Sequence, residues 1–332
     1  MTTVISRRAP LAASLLAFGL VLGACSSGPS QVNAAAIVGD KTISVDQVQD
    51  LVAKAVQAEP AARQLADQRK LDLVSRGVLR QLVLHELVQR YSTEHHLSVE
   101  PAKVSAFADQ IKGSFQTLPT DGSTDPSTVV QQAVNRVLDP EQIAGDYLLM
   151  AQIGQDEAQK LSVTFDFTLI AAAGEGQPTG SLRQQAVDKA RGLADAGLDG
   201  AAKVIDADIA AGAQASKNET LTPALAPDIA GTVIFGAPVN SVIAFQPNPE
   251  NANWVVAVIR KRDTDAKPAA NAEAPDPRVA TTLAPQLLEA TADQLGVKIS
   301  PRYGVWDRAS VSIAPSEAET TGVVFPVKNA TP

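Results

Sequence analysis

Ala36-Ile37-Val38-Gly39-Asp40-Lys41-Thr42-Ile43-Ser44 sets the frame for the rest of the chain. Two short β-prone runs flank Gly39-Asp40, a pair that turns the backbone at little steric cost, so a tight hairpin is predicted. Ser44 stands three residues before Gln47, the spacing of a capping box that starts a helix. Val45, Val48, Leu51, Val52, Ala55 and Val56 then recur at helical intervals, which places them on one buried face. A hairpin that runs straight into an amphipathic helix announces a mixed unit rather than a pure bundle.

C-terminal to it the helical pattern continues to about residue 160. Pro60 interrupts the first helix, and Leu71, Val74, Val78, Leu82, Leu84, Leu87, Val88 and Tyr91 hold one register along a second, long one. Glu100-Pro101 reads as a cap followed by proline at the first helical position. Val104, Phe107, Ala108, Ile111 and Phe115 form the next face, and Leu118 to Ser127 is a loop rich in Pro, Asp, Gly, Ser and Thr. Two more helices, about 127–138 and 140–160, complete the segment.

The run from Ala36 to Ser44 resembles the opening of the SurA/PrsA family of extracytoplasmic foldases, although Val38-Gly39 lacks the asparagine usual there. The stretch Leu79-Arg80-Gln81-Leu82-Val83-Leu84-His85-Glu86-Leu87, continuing to His96-Leu97-Ser98-Val99-Glu100, resembles that family's following helix and its link to the next. The resemblance implies a helical chaperone domain over residues 35–160 that holds unfolded, aromatic-rich polypeptide in a cleft. Phe107, Phe115 and Tyr147 are the candidate peptide-binding residues of that domain, each set against core packing, the commoner role of such an aromatic.

N-terminal to the hairpin, Arg7 and Arg8 precede the apolar run Leu11 to Leu22, which stops at Gly23-Ala24-Cys25. A basic start, a short apolar stretch and small residues at its end make a secretory signal over residues 1–24. Twelve helical residues rise roughly 18 Å, too short for a hydrocarbon core of about 30 Å. Leu22-Gly23-Ala24-Cys25 resembles a bacterial lipobox, which implies cleavage between Ala24 and Cys25 and lipid attachment to the Cys25 sulfur, with residues 25–34 as the tether. Loss of residues 1–24 takes Arg7 and Arg8 with it and moves the net charge from −8 to −10. The expected location is the extracytoplasmic face of a bacterial cell membrane, held there by the lipid anchor.

The middle segment, 161–264, begins with an alternating run, Val163 to Ala171, that puts Phe165, Phe167 and Leu169 on one face. Ser181 to Ala196 and Asp199 to Ala211 read as helices. Ser241 to Phe245 is a short apolar run, and Trp254 to Arg260 is a strand with Trp254, Val256 and Val258 on one side. Strand, helices and a late hairpin follow the order of a parvulin prolyl isomerase domain. The resemblance fails at the chemistry: Phe165-Asp166-Phe167-Thr168 stands where parvulins carry a histidine, and no histidine follows His96. Phe235 marks an apolar pocket that a peptide would use if one persists. An active peptidyl-prolyl isomerase is therefore an alternative to a non-catalytic binder, and an envelope adaptor for one specific protein is another.

Residues 265–277 form a linker, and 278–312 hold a helix and a strand. There Val297-Lys298-Ile299-Ser300-Pro301-Arg302-Tyr303-Gly304-Val305-Trp306 resembles the C-terminal tail of actinobacterial-type family members. In relatives such an element returns to pack on the helical domain. Residues 313–332 are expected to be a disordered tail. The fold class is thus α+β: a helical domain built from two distant segments, with a parvulin-like α/β domain inserted.

Composition excludes several functions. A net charge of −8 opposes general nucleic-acid binding, which needs a Lys/Arg surplus against phosphate. One cysteine rules out an internal disulfide and cysteine-cluster metal sites. His85-Glu86-Leu87-Val88-Gln89 has glutamine where a zinc protease needs its second imidazole. Gly174-Glu175-Gly176-Gln177-Pro178-Thr179-Gly180 has the wrong spacing for a dinucleotide loop. No catalytic residue, metal, cofactor or nucleotide is expected, and the expected partners are unfolded or newly secreted polypeptides.

Overall fold

A computed structural model describes residues 33–171, 179–248, 252–266 and 276–330. Cys25, the signal segment, most of the tether, the Gly174–Pro178 loop and most of the linker lie outside the described residues.

Strands β1 (Ala34–Val38) and β2 (Lys41–Ser44) form the hairpin, with Gly39 at a φ of +60° that suits glycine at the turn. The Ser44 hydroxyl accepts from the Gln47 amide at 3.1 Å and caps α1 (Val45–Ala58). Then come α2 (Pro60–Asp67), α3 (Leu71–Glu94), α4 (Pro101–Gly113), α5 (Pro126–Val137) and α6 (Pro140–Ala158). An acid followed by proline opens α2, α4, α5 and α6: Glu59-Pro60, Glu100-Pro101, Asp125-Pro126 and Asp139-Pro140. Proline costs nothing at a position whose N–H has no partner in the helix, and Glu59, Asp125 and Asp139 accept the next free amide.

Strand β3 (Ser162–Ile170) leads into α7 (Thr179–Asp195), α8 (Gly197–Ala210), β4 (Ala215–Leu221), two 3-10 turns, β5 (Ser241–Phe245) and β6 (Trp254–Asp263). The chain ends with α9 (Pro277–Leu287), α10 (Glu289–Leu295), β7 (Lys298–Ile299), β8 (Val305–Asp307), β9 (Ser312–Ala314) and β10 (Gly322–Pro326). The strands form a three-stranded sheet β2-β1-β7, a five-stranded antiparallel sheet β10-β5-β6-β3-β4, and the pair β8-β9.

Alternation along β6 divides the large sheet between two cores. Trp254, Val256 and Val258 face Leu182, Ala186, Ala190 and Leu193 of α7. Ala257 and Ile259 face the other way, with Phe165, Ile243 and Phe245, into a core that continues through α3, α6 and α9. The helices and the sheet therefore share one apolar interior.

The C-terminal segment closes on the N-terminal one. Strand β7 pairs with β1, with Ala36 opposite Ile299 and Ile37 opposite Lys298. Helix α9 lies against α6 so closely that a Cβ on Gly154 would stand 1.9 Å from the Ala280 carbonyl oxygen. Only glycine fits that crossing.

Residues 313–330 differ from the expected disordered tail. Gly322–Pro326 pairs antiparallel along β5, with Val324 opposite Ile243, and covers what would otherwise be an open sheet edge. Arg183 donates to the Thr320 hydroxyl at 2.8 Å, and the Val327 amide donates to the Asn240 carbonyl at 2.9 Å. Polar composition around Ser316 to Thr321 hides a strand whose partner lies some eighty residues away. Among the described residues no helix is long and apolar enough to cross a membrane.

Candidate functional site

The periodicity that buries one stripe of α1 leaves an adjacent stripe open. Val48, Val52 and Val56 alternate with Gln49, Ala53 and Gln57 along one wall of a groove of about 670 Å³. Ala66, Leu71, Asp72, Ser75 and Arg76, from the end of α2 and the first turns of α3, make the facing wall. Arg302 and Tyr303, from the turn after β7, close one end. Leu71 is 37% exposed although it is leucine, and the floor is aliphatic. Neither segment alone makes this site, since its two walls come from residues 48–76 and its end from the C-terminal return.

Its polar groups are few and sit at the rim. Arg76 Nη2 holds Asp72 Oδ2 at 2.6 Å, one turn along α3. With the Gln49 amide oxygen turned toward it, Arg302 donates to that oxygen from both terminal nitrogens, at 2.7 and 2.9 Å. The same guanidinium lies 5.8 Å from the Tyr303 ring centroid. Tyr303 is 5% exposed, its hydroxyl has no hydrogen-bond partner among the described residues, and burial pushes its pKa up. The Ser75 hydroxyl in this lining donates to the Leu71 carbonyl at 3.1 Å.

A second groove of about 770 Å³ lies between α10 and the β8–β9 hairpin. Here the charges satisfy one another. Glu289, 2% exposed, accepts from Arg308 Nε at 2.7 Å and Trp306 Nε1 at 3.3 Å, and Arg308 also holds Asp293 at 3.0 Å. Burial pushes the Glu289 carboxyl up to about 7, against the pull of Arg308 and Trp306. This cluster fastens the hairpin to α10.

Two of the four aromatic candidates come together. Phe107 of α4 and Tyr147 of α6 stack with centroids 4.9 Å apart, and Tyr147 is 43% exposed. Phe115, beyond the end of α4, lies half-buried under the Arg136 guanidinium at 4.9 Å. Phe235 must be withdrawn as a binding residue: it is fully buried, in a 3-10 turn between the large sheet and α9. Arg262 donates to its carbonyl oxygen, and Gln286 of α9 donates to Gly231 at 2.8 Å, so the loop carrying it is clamped shut. Asp166, in the strand where parvulins carry a histidine, is locked as well. It is 1% exposed and receives Arg260 Nε and Nη2 at 2.8 and 2.6 Å, with the Asn218 amide at 2.9 Å.

His85 is not the surface residue its position on an amphipathic helix suggests. Its Nδ1 meets both carboxylate oxygens of Asp146 at 2.9 Å, and Gln89 Nε2 donates to the same group at 3.2 Å. The hydrogen bond to Asp146 is the main reason that the His85 pKa is raised. The pair joins α3 to α6, and no sequence spacing points to it because its members are 61 residues apart. Among the described residues no three His, Cys, Asp or Glu side chains converge as a metal site would require.

Residues 8–146 match the family model described as the SurA-like N-terminal domain, which supports the resemblance to the SurA/PrsA family over that stretch. No curated protein matches the chain. Both long walls of the first groove fall within the matched residues, whereas Arg302 and Tyr303 fall outside them.

Proposed function

We propose that this protein is a chaperone-type folding factor that holds non-native polypeptide in the groove between α1 and α3. The observation that carries this reading is an open, aliphatic groove whose walls belong to the stretch matching a SurA-like domain. Exposed apolar surface rimmed by a few polar groups suits a ligand that is extended, apolar and variable in sequence. The stacked Phe107–Tyr147 pair offers such a ligand a second apolar contact. Holding needs no nucleotide, because binding energy alone shields the client and folding releases it.

The finer reading has the signal segment removed before Cys25 and the mature chain held by lipid at the extracytoplasmic face of the membrane. Replacing Cys25 by alanine then abolishes labelling with a radioactive fatty acid; persistent label would remove the anchor from the proposal. The middle sheet is read as a parvulin-like unit without isomerase chemistry. Buried Phe235 and the locked Asp166 support that reading.

The deciding test is suppression of aggregation of a denatured client by the mature chain, without ATP, beside a proline-isomerisation assay. Leu71→Glu with Ala53→Glu places charge in the groove at two exposed positions. The wild type is expected to suppress aggregation at near-stoichiometric ratio, and the double variant to lose most of that effect with unchanged circular dichroism. No suppression by the wild type sinks the chaperone reading. Full activity in the variant moves the site elsewhere, and parvulin-level isomerisation replaces holding with catalysis.

A further inference from the structure

Resting on the polypeptide-binding reading, we infer that the groove selects apolar segments carrying a carboxylate, and that Arg302 is the residue that reads it. In a chain of net charge −8, the closed end of the groove carries an exposed arginine. Asp72 is paired with Arg76 at 2.6 Å, and Asp46, one turn before Gln49, keeps its charge and accepts from Asn33 Nδ2 at 2.9 Å. Arg302 has no carboxylate within ion-pair distance among the described residues and is exposed at the groove end.

Its present partner shows what the guanidinium is shaped to take. With its amide oxygen turned toward the guanidinium, Gln49 bridges the two terminal nitrogens at 2.7 and 2.9 Å, which makes that edge an acceptor site. A neutral amide occupies it in the free protein, and a charged carboxylate displaces it, since charge-assisted hydrogen bonds are roughly twice as strong. With Gln49 displaced, the carboxylate sets one oxygen against each terminal nitrogen in a forked pair. The aliphatic wall of Val52, Val56 and Leu71 takes the neighbouring apolar side chains. An acidic side chain and a free C-terminus present the same group.

Fluorescence anisotropy on the full mature chain separates these sources with three otherwise identical apolar twelve-residue peptides. One has a central glutamate and an amidated end, one a central glutamine and a free end, and one a central glutamine and an amidated end. At least one carboxylate peptide is expected to bind about five- to tenfold tighter than the neutral one at low salt, and the one that does names the source. Arg302→Gln is expected to erase that preference, while Arg302→Lys keeps part of it. Both variants change an exposed side chain, and a thermal melt checks that they fold. Equal affinity of the wild type for all three peptides overturns the inference and leaves the folding-factor reading standing. A preference that survives in Arg302→Gln also overturns it. Binding of none of the peptides overturns the polypeptide-binding reading, and this inference with it.

Discussion

Helix α6 carries two glycines with opposite consequences. On helix propensity alone, Gly→Ala inside a helix stabilises by about 1 kcal/mol, through the entropy of the unfolded chain. Gly145 meets nothing within 4 Å of an added Cβ, so Gly145→Ala is expected to gain about 0.5–1 kcal/mol. At Gly154 the added carbon would lie 1.9 Å from Ala280 O, 2.5 Å from its carbonyl carbon and 2.9 Å from its Cα. Ordinary contact begins near 3.4 Å, so α9 must retreat by about 1.5 Å. The obstacle is main chain, which no rotamer change removes, and overpacking of this kind costs about 3 kcal/mol. Gly154→Ala is thus expected to lose about 2 kcal/mol net, opposite in sign to its neighbour. Urea denaturation of both variants against the wild type measures the difference. Because α9 leads to Arg302 and Tyr303, Gly154→Ala is also expected to weaken client holding, and Gly145→Ala to leave it alone. If both variants stabilise the protein alike, the close docking of α9 on α6 is refuted.

Further outcomes follow from buried ionisable groups. Burial raises the Glu289 carboxyl to about 7 from an ordinary 4.5, so the folded state holds the proton more tightly than the unfolded one. Its contribution is full below about pH 4.5 and is lost as pH rises to about 7, on the order of 3 kcal/mol; Glu289→Gln should flatten that slope in urea melts across pH 4.5–8. The His85 pKa is likewise raised, so the stability it contributes is present below the ordinary imidazole value and disappears as pH climbs through the raised one. At pH 6, His85→Ala should cost about 2–3 kcal/mol, because buried Asp146 then keeps, among the described residues, only Gln89 as a side-chain partner; a loss under 0.5 kcal/mol would contradict the pairing. Tyr303→Phe removes a buried hydroxyl with no partner among the described residues and should leave stability unchanged or raise it by up to about 1 kcal/mol, whereas a clear loss would mean that the hydroxyl is bonded.

The mixed helix-and-strand character is legible in residues close in sequence. Gly39-Asp40 marks the turn, Ser44 and Gln47 the cap, and the valines of α1 the buried stripe, because turn sterics, capping and helical period act over at most a few residues. Trp254, Val256 and Val258 disclose one face of β6 for the same reason. The acid–proline helix starts were equally available, although only Glu100-Pro101 stands out without the structure. Phe235 shows where such reasoning stops: an aromatic in a short apolar run is the same sequence whether it lines a pocket or fills a core.

Local chemistry therefore fixes the elements, and distance in the chain hides their partners. Strand β10 has an ordinary strand composition but needs β5 to exist as one, and residues 316–321 before it are polar enough to look like a tail. His85 and Asp146 are each unremarkable until α3 and α6 bring them to 2.9 Å. The groove is the clearest instance. Its aliphatic walls lie within thirty residues and are predictable as an amphipathic surplus, yet the guanidinium that closes it arrives from more than two hundred residues away. Only the pairing of β7 with β1 and the glycine crossing of α6 with α9 put Arg302 there, and both depend on contacts that no sequence window contains.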